Sequence, residues 1–315
     1  MPENYTLPSP LRGIIPPMVT PLKNDQTLDQ IGLERLVEHL IGGGVHGVFI
    51  LGTTGEGTSL SYALRREMVA LTCKLVGGRI PVMVCITDSS PVESLSLAQI
   101  AAQSGASALV AAPPYYFGMQ QSELLDYFRA LADQMPLPLF LYNMPSHTKI
   151  HLDPNTVKKL SAHPNIVGIK DSSGNGVYFN SLLFLMKDDP NFTIMVGPEE
   201  MMAATILMGG HGGVNGGANM YPKLYVDLYQ AAFTKNFERL LTLQNMVMEI
   251  SHHIYGIGDS PSSYLQGLKS ALSEMGICND YMASPLKKFD EENKLLIREN
   301  LARLSVQNPT GDNAS

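Results

Sequence analysis

Short apolar runs alternate with longer stretches of helical spacing along most of the chain. The runs cover residues 13–20, 47–51, 82–86, 108–112, 139–142, 166–170, 192–196 and 213–215. They are rich in branched aliphatics and bounded by glycine, proline or polar clusters, which predicts buried strands. Between them apolar residues recur at helical intervals. Leu33, Leu36, Val37 and Leu40 fall on one face, as do Leu124, Phe128 and Leu131, and Leu224, Leu228 and Ala231. Thr27-Leu-Asp-Gln30 reads as a capping box, and Asp153-Pro154 places proline in a first helical turn. Strict strand–helix alternation predicts a parallel sheet, and eight units predict a closed (β/α)8 TIM barrel of the α/β class.

After about residue 234 the strand signal stops. Stretches 236–253, 262–275 and 285–304 read as helices, interrupted at Gly256-Ile257-Gly258. The expected organisation is a barrel over residues 1–234, a helical region packed on it over 235–306, and a polar, disordered tail over 307–315.

Composition narrows the function. The 315 residues carry a formal net charge of −7 and show no dense basic run, which argues against a nucleic-acid partner. Cys73, Cys85 and Cys278 are widely spaced, without the pattern of a disulfide framework or a zinc site, and fit a reducing cytoplasm. The first ten residues lack the charged start and apolar core of a secretory signal, and no run approaches the ~18 apolar residues of a membrane span. Gly42-Gly-Gly44-Val-His-Gly47 matches a dinucleotide-binding spacing but follows a helix and precedes a strand, the wrong order. The glycine-rich stretch 208–217 lacks the Lys-Ser/Thr ending of a phosphate loop. No H-E-x-x-H zinc pattern and no G-x-S-x-G elbow occurs. Nothing in these patterns suggests a metal.

Candidate chemistry sits at the strand ends, where barrels of this kind place their sites. Lys170 closes the apolar run 166–170. An ammonium there is costly unless paired, and desolvation favours the neutral, nucleophilic amine that Schiff-base enzymes need. A strand-end lysine that snorkels to water is the plainer reading. After the second strand, Gly52-Thr53-Thr54-Gly55-Glu56 combines backbone N–H groups and hydroxyls suited to a small carboxylate, or is an ordinary turn. After the fifth, Tyr142-Asn-Met-Pro145 offers a phenol that either shuttles a proton or packs in the core. After the fourth lies an aromatic loop, Tyr115-Tyr116-Phe117.

In that order, Gly-Thr-Thr-Gly-Glu, Tyr-Asn-x-Pro and Gly-Ile-Lys-Asp resemble the dihydrodipicolinate synthase/N-acetylneuraminate lyase family, from about residue 13 to 232. The resemblance implies a class I, pyruvate-dependent lyase needing no cofactor and built as a homotetramer. It makes Lys170 the Schiff-base lysine and Tyr142 the proton relay. Thr53 and Thr54 would hold the pyruvate carboxylate, with Thr54 also in the relay, and Tyr116 would be lent to a neighbouring subunit's site. The synthases typically continue Tyr-Asn-x-Pro with Gly-Arg-Thr, whose arginine grips aspartate semialdehyde. Here the residues are Ser146-His147-Thr148. An imidazole in place of a charged fork suits a hydroxylated partner. The leading expectation is therefore an aldolase or dehydratase for a 2-keto-3-deoxy sugar acid, with His147, Asp171, Ser172, Ser173, Glu199 and Asn215 binding hydroxyls. The alternatives are 4-hydroxy-tetrahydrodipicolinate synthase, an N-acetylneuraminate or 4-hydroxy-2-oxoglutarate lyase, and a non-catalytic barrel that binds a 2-oxo acid.

Overall fold

A computed structural model describes residues 7–24 and 27–307. Eight parallel strands form one sheet: β1 (Gly13–Ile14), β2 (Val48–Ile50), β3 (Val82–Cys85), β4 (Ala108–Ala111), β5 (Leu139–Asn143), β6 (Ile166–Asp171), β7 (Thr193–Val196) and β8 (Gly212–Gly213). From β2 to β8 each pairs with its successor, and β8 pairs with β1. The ring closes between the segment after β1 and β2. There Phe49 N–H donates to Pro16 O at 2.9 Å and Met18 N–H to Phe49 O at 2.8 Å. The expected first strand, 13–20, is thus mostly irregular, because Pro16 and Pro17 have no N–H to give a ladder.

The strands are buried on both faces, as their near-continuous apolar runs demand. Around them lie α1 (Gln30–Gly42), α2 (Tyr62–Val76), α3 (Pro91–Ser104), α4 (Gln121–Gln134), α5 (Pro154–Leu160), α6 (Gly176–Leu185), α7 (Met202–Leu207) and α8 (Pro222–Phe233). The predicted stripe on α1 is the buried one. Its cap differs from expectation. Asp29 accepts from the Gly32 N–H, whereas Thr27 lies in a short hairpin strand, Thr27–Leu28, paired with Leu22–Asn24.

Three helices follow the barrel: α9 (Phe237–Ile250), α10 (Ser263–Glu274) and α11 (Glu291–Gln307). A π-helical turn, Ser251–Tyr255, prolongs α9 and carries Tyr255 inward. The last helix begins six residues later than expected, where Asp290 accepts from the Asn293 N–H as a cap. One apolar core runs unbroken from barrel residues such as Ile14 and Phe140 to Val247, Leu268 and Ile297. The expected tail beyond Gln307 lies outside the described residues.

Candidate active site

Alternation along β6 sends Lys170 to one face of the sheet and Asp171 to the other. Lys170 is only 7% exposed. In register beside it on β5 stands Tyr142, and the Lys170 Nζ lies 4.4 Å from the Tyr142 ring centre and 4.9 Å from that of Phe49. Among the described residues no carboxylate lies within ion-pairing distance of Lys170. Two aromatic faces hold the amine instead.

The turn after β2 is built by close approach. A side chain at Gly57 would collide with the Leu51 carbonyl. Leu51 and Glu56 both adopt left-handed backbone, with φ of 61° and 55°. Such conformations cost non-glycine residues ~1–2 kcal/mol each and persist only where the surroundings impose them. The turn sets two hydroxyls side by side. Thr53 Oγ1 lies 3.2 Å from the Tyr142 hydroxyl, and Thr54 Oγ1 lies 3.2 Å from the Tyr264 hydroxyl, which comes from α10. The hydroxyl joined to Tyr142 is therefore that of Thr53, not Thr54.

These groups line a cavity of about 810 Å³ at the C-terminal ends of the strands. Of the expected site residues, Lys170, Tyr142, Thr53, Thr54, Gly52, His147, Ser172 and Glu199 face it. Four do not. Asp171 is turned away and held by Asn143 Nδ2 at 2.9 Å and by the Ser173 N–H and hydroxyl at 3.0 Å. Gly55 gives its carbonyl to the Thr20 hydroxyl at 2.7 Å. Asn215 is fully buried and donates to Gly197 O at 2.9 Å. Tyr116 is 79% exposed, stacked edge-on against Phe117, and its neighbour Tyr115 lines the cavity.

Glu199 follows β7 and is buried. Its carboxylate accepts from the Gly217 N–H at 2.9 Å, from Tyr255 at 3.0 Å and from Tyr225. Burial pushes its carboxyl up to about 7 against the pull of those donors. Burial, helped by Lys149, lowers His147, whose Nδ1 lies 3.0 Å from the Ser146 hydroxyl. Burial also raises Tyr255 and Tyr264, with Glu199 adding to both. Tyr255, Tyr264 and the segment 260–262 close one wall of the cavity from the C-terminal helices. Nothing local in the sequence marks them, since they lie well beyond the last strand-end motif, Gly-Ile-Lys-Asp. Among the described residues no cluster of three or more metal-ligating side chains occurs, and no helix is long and apolar enough to cross a membrane.

A nearly buried amine with no counter-ion among the described residues, a phenol beside it, and a hydroxyl- and amide-bearing turn within one barrel mouth define the Schiff-base aldolase class. The family model described as Dihydrodipicolinate synthetase family matches residues 10–304, and the chain belongs to that family of pyruvate-dependent lyases. A solved structure described as dihydrodipicolinate synthase from Bacteroides thetaiotaomicron is 55% identical, covers 94% of this chain and 100% of its own, and superimposes with a TM-score of 0.92. YagE of Escherichia coli K12, solved in complex with pyruvate, is 30% identical over 93% of this chain and 98% of its own, with a TM-score of 0.88. A probable 2-dehydro-3-deoxy-D-pentonate aldolase, YjhH of the same organism, is 32% identical over 90% of this chain and 93% of its own length.

Proposed function

We propose that this lyase makes or breaks the carbon–carbon bond of a 2-keto-3-deoxy sugar acid, with pyruvate as the keto fragment. The observation that carries this reading is the makeup of the cavity beyond Lys170. Among the described residues its polar lining there includes His147, Thr148, Ser172, Glu199, Glu200, Tyr255, Ser260, Ser262 and Tyr264, and no guanidinium to grip a second carboxylate. Such a lining suits a chain of hydroxyl groups.

In the proposed reaction the Lys170 amine adds to the keto carbon and water leaves, giving an imine that withdraws electrons from the bond to be broken. Tyr142, with Thr53 behind it, takes the proton from the hydroxyl whose C–C bond breaks, and an aldehyde departs. The enamine is then protonated and the imine hydrolysed to pyruvate. The N–H groups and hydroxyls of the Thr53–Thr54 turn hold the carboxylate. The exposed Tyr116 is assigned to a neighbouring subunit's site in a homotetramer, and the enzyme to the cytoplasm.

A second reading, 4-hydroxy-tetrahydrodipicolinate synthase, is favoured by the 55% identity to the Bacteroides thetaiotaomicron structure. Pyruvate consumption separates the two. Faster loss with glyceraldehyde or glycolaldehyde than with aspartate semialdehyde supports the sugar-acid reading. Preference for the semialdehyde replaces it with the synthase.

A further inference from the structure

The turn that carries Thr53 and Thr54 is tied to the C-terminal helices by a buried charge pair. Glu56 has no exposed side-chain surface, and neither has its partner Lys269, from the middle of α10. The Lys269 ammonium contacts Glu56 Oε1 and donates to the Tyr281 carbonyl at 2.6 Å, and the other Glu56 oxygen accepts from the Ala283 N–H at 2.6 Å. Within the turn, Glu56 N–H donates to Thr53 O at 3.0 Å. One carboxylate thus joins the Thr53–Thr54 turn to α10 and to the strap 281–283.

Stability alone does not account for such a pair. Removing two charges from water costs about as much as their attraction returns, and apolar residues of equal volume commonly serve as well. A directional clamp is what an apolar pair cannot supply. The clamped residue, moreover, holds a left-handed backbone that only its surroundings impose.

We infer that Glu56 and Lys269 are positioning residues that hold the Thr53–Thr54 turn in its carboxylate-binding geometry, so that the strap 281–283 and the pyruvate site are coupled. The inference rests on the Schiff-base reading and adds that pyruvate binding is set in part from outside the barrel.

The test is borohydride trapping of pyruvate on Lys170 across a pyruvate series, with melting temperature recorded alongside. Lys269→Met strands a buried carboxylate and lowers the melting temperature. Glu56→Gln/Lys269→Met removes that charge and recovers most of the loss. In both, half-saturating pyruvate is expected at least about tenfold above wild type, with a smaller change in the trapping rate at saturation. A recovered double variant with wild-type half-saturation overturns the inference and leaves the pair a packing feature. No adduct on the wild-type enzyme removes the Schiff-base reading itself, and the inference with it. The native enzyme supplies an independent measurement by hydrogen exchange. Pyruvate should slow exchange at the Ala283 amide as well as through residues 52–57, and protection confined to the barrel turns overturns the coupling even if neither variant folds.

Discussion

The two ends of the barrel bury polar groups for opposite purposes. At the N-terminal ends of the strands, His46 Nδ1 accepts from the Ile14 N–H at 3.2 Å, and His211 Nδ1 from the Ile194 N–H at 2.9 Å. Burial lowers both imidazoles, His211 to about 4, so they stay neutral and complete the ladder where strands begin. At the C-terminal ends, Lys170 has no carboxylate partner among the described residues, and Glu199 is raised, caged by tyrosines and turned to a cavity. One end spends its buried polar groups on the backbone. The other turns Lys170, Glu199 and the residues of the Thr53–Thr54 turn to the cavity, and it also holds the left-handed Leu51 and Glu56. Chemistry is placed where buried polar groups face a cavity.

Substitutions at each end sharpen the contrast. Lys170→Ala should abolish the pyruvate adduct and turnover while the protein stays folded, and an adduct mapped to another lysine would break the assignment. Tyr142→Phe should lower kcat by roughly 10²–10⁴-fold, the range for a lost proton-transfer group, while trapping with borohydride persists. A kcat unchanged by that substitution makes Tyr142 a packing residue.

Glu199 makes a pH-dependent prediction. Its folded carboxyl titrates near 7, against 4.5 ordinarily, so the native state binds the proton more tightly and stability falls as pH rises from 4.5 to 7. That span corresponds to ~3 kcal/mol. Glu199→Gln should flatten the decline in urea-unfolding free energies measured from pH 4.5 to 8, and an unchanged slope would show that another group causes it. The smallest effect belongs to the other end. His211→Leu leaves the Ile194 N–H without its acceptor, costing ~1–3 kcal/mol with kcat and KM unmoved. Because His211 is lowered from 6.5 to about 4, wild type loses stability as pH falls through that window, and the variant should not. Altered kinetics in His211→Leu would break the division between the two ends.

Much of this was readable without coordinates, for reasons that differ by residue. The central strands and α1 were legible because burial on one face or both leaves a local period. Lys170, Tyr142 and the Thr53–Thr54 turn were legible because each ends such a run. Asp171 was misplaced because a strand-end polar residue shows its position and not its face until the register is known, and the same ambiguity hid the pairing of Thr53 rather than Thr54 with Tyr142. Tyr255, Tyr264 and Lys269 carry no local signal. Each sits in an ordinary amphipathic or polar stretch and gains its role from an element far away in the chain.

By itself, then, the sequence determined the alternation, the eight strands, the order of the strand-end motifs and an amine where an apolar run stops, since all of these are set by neighbours within a few residues. Only the tertiary structure decided that the ring closes across Pro16 and Phe49, that Lys170 rests against two aromatic rings, and that the C-terminal helices supply a wall of the cavity and a clamp on its turn. Those contacts span up to some two hundred residues of chain. Packing and the exclusion of water specify them, and neither leaves a period in the sequence.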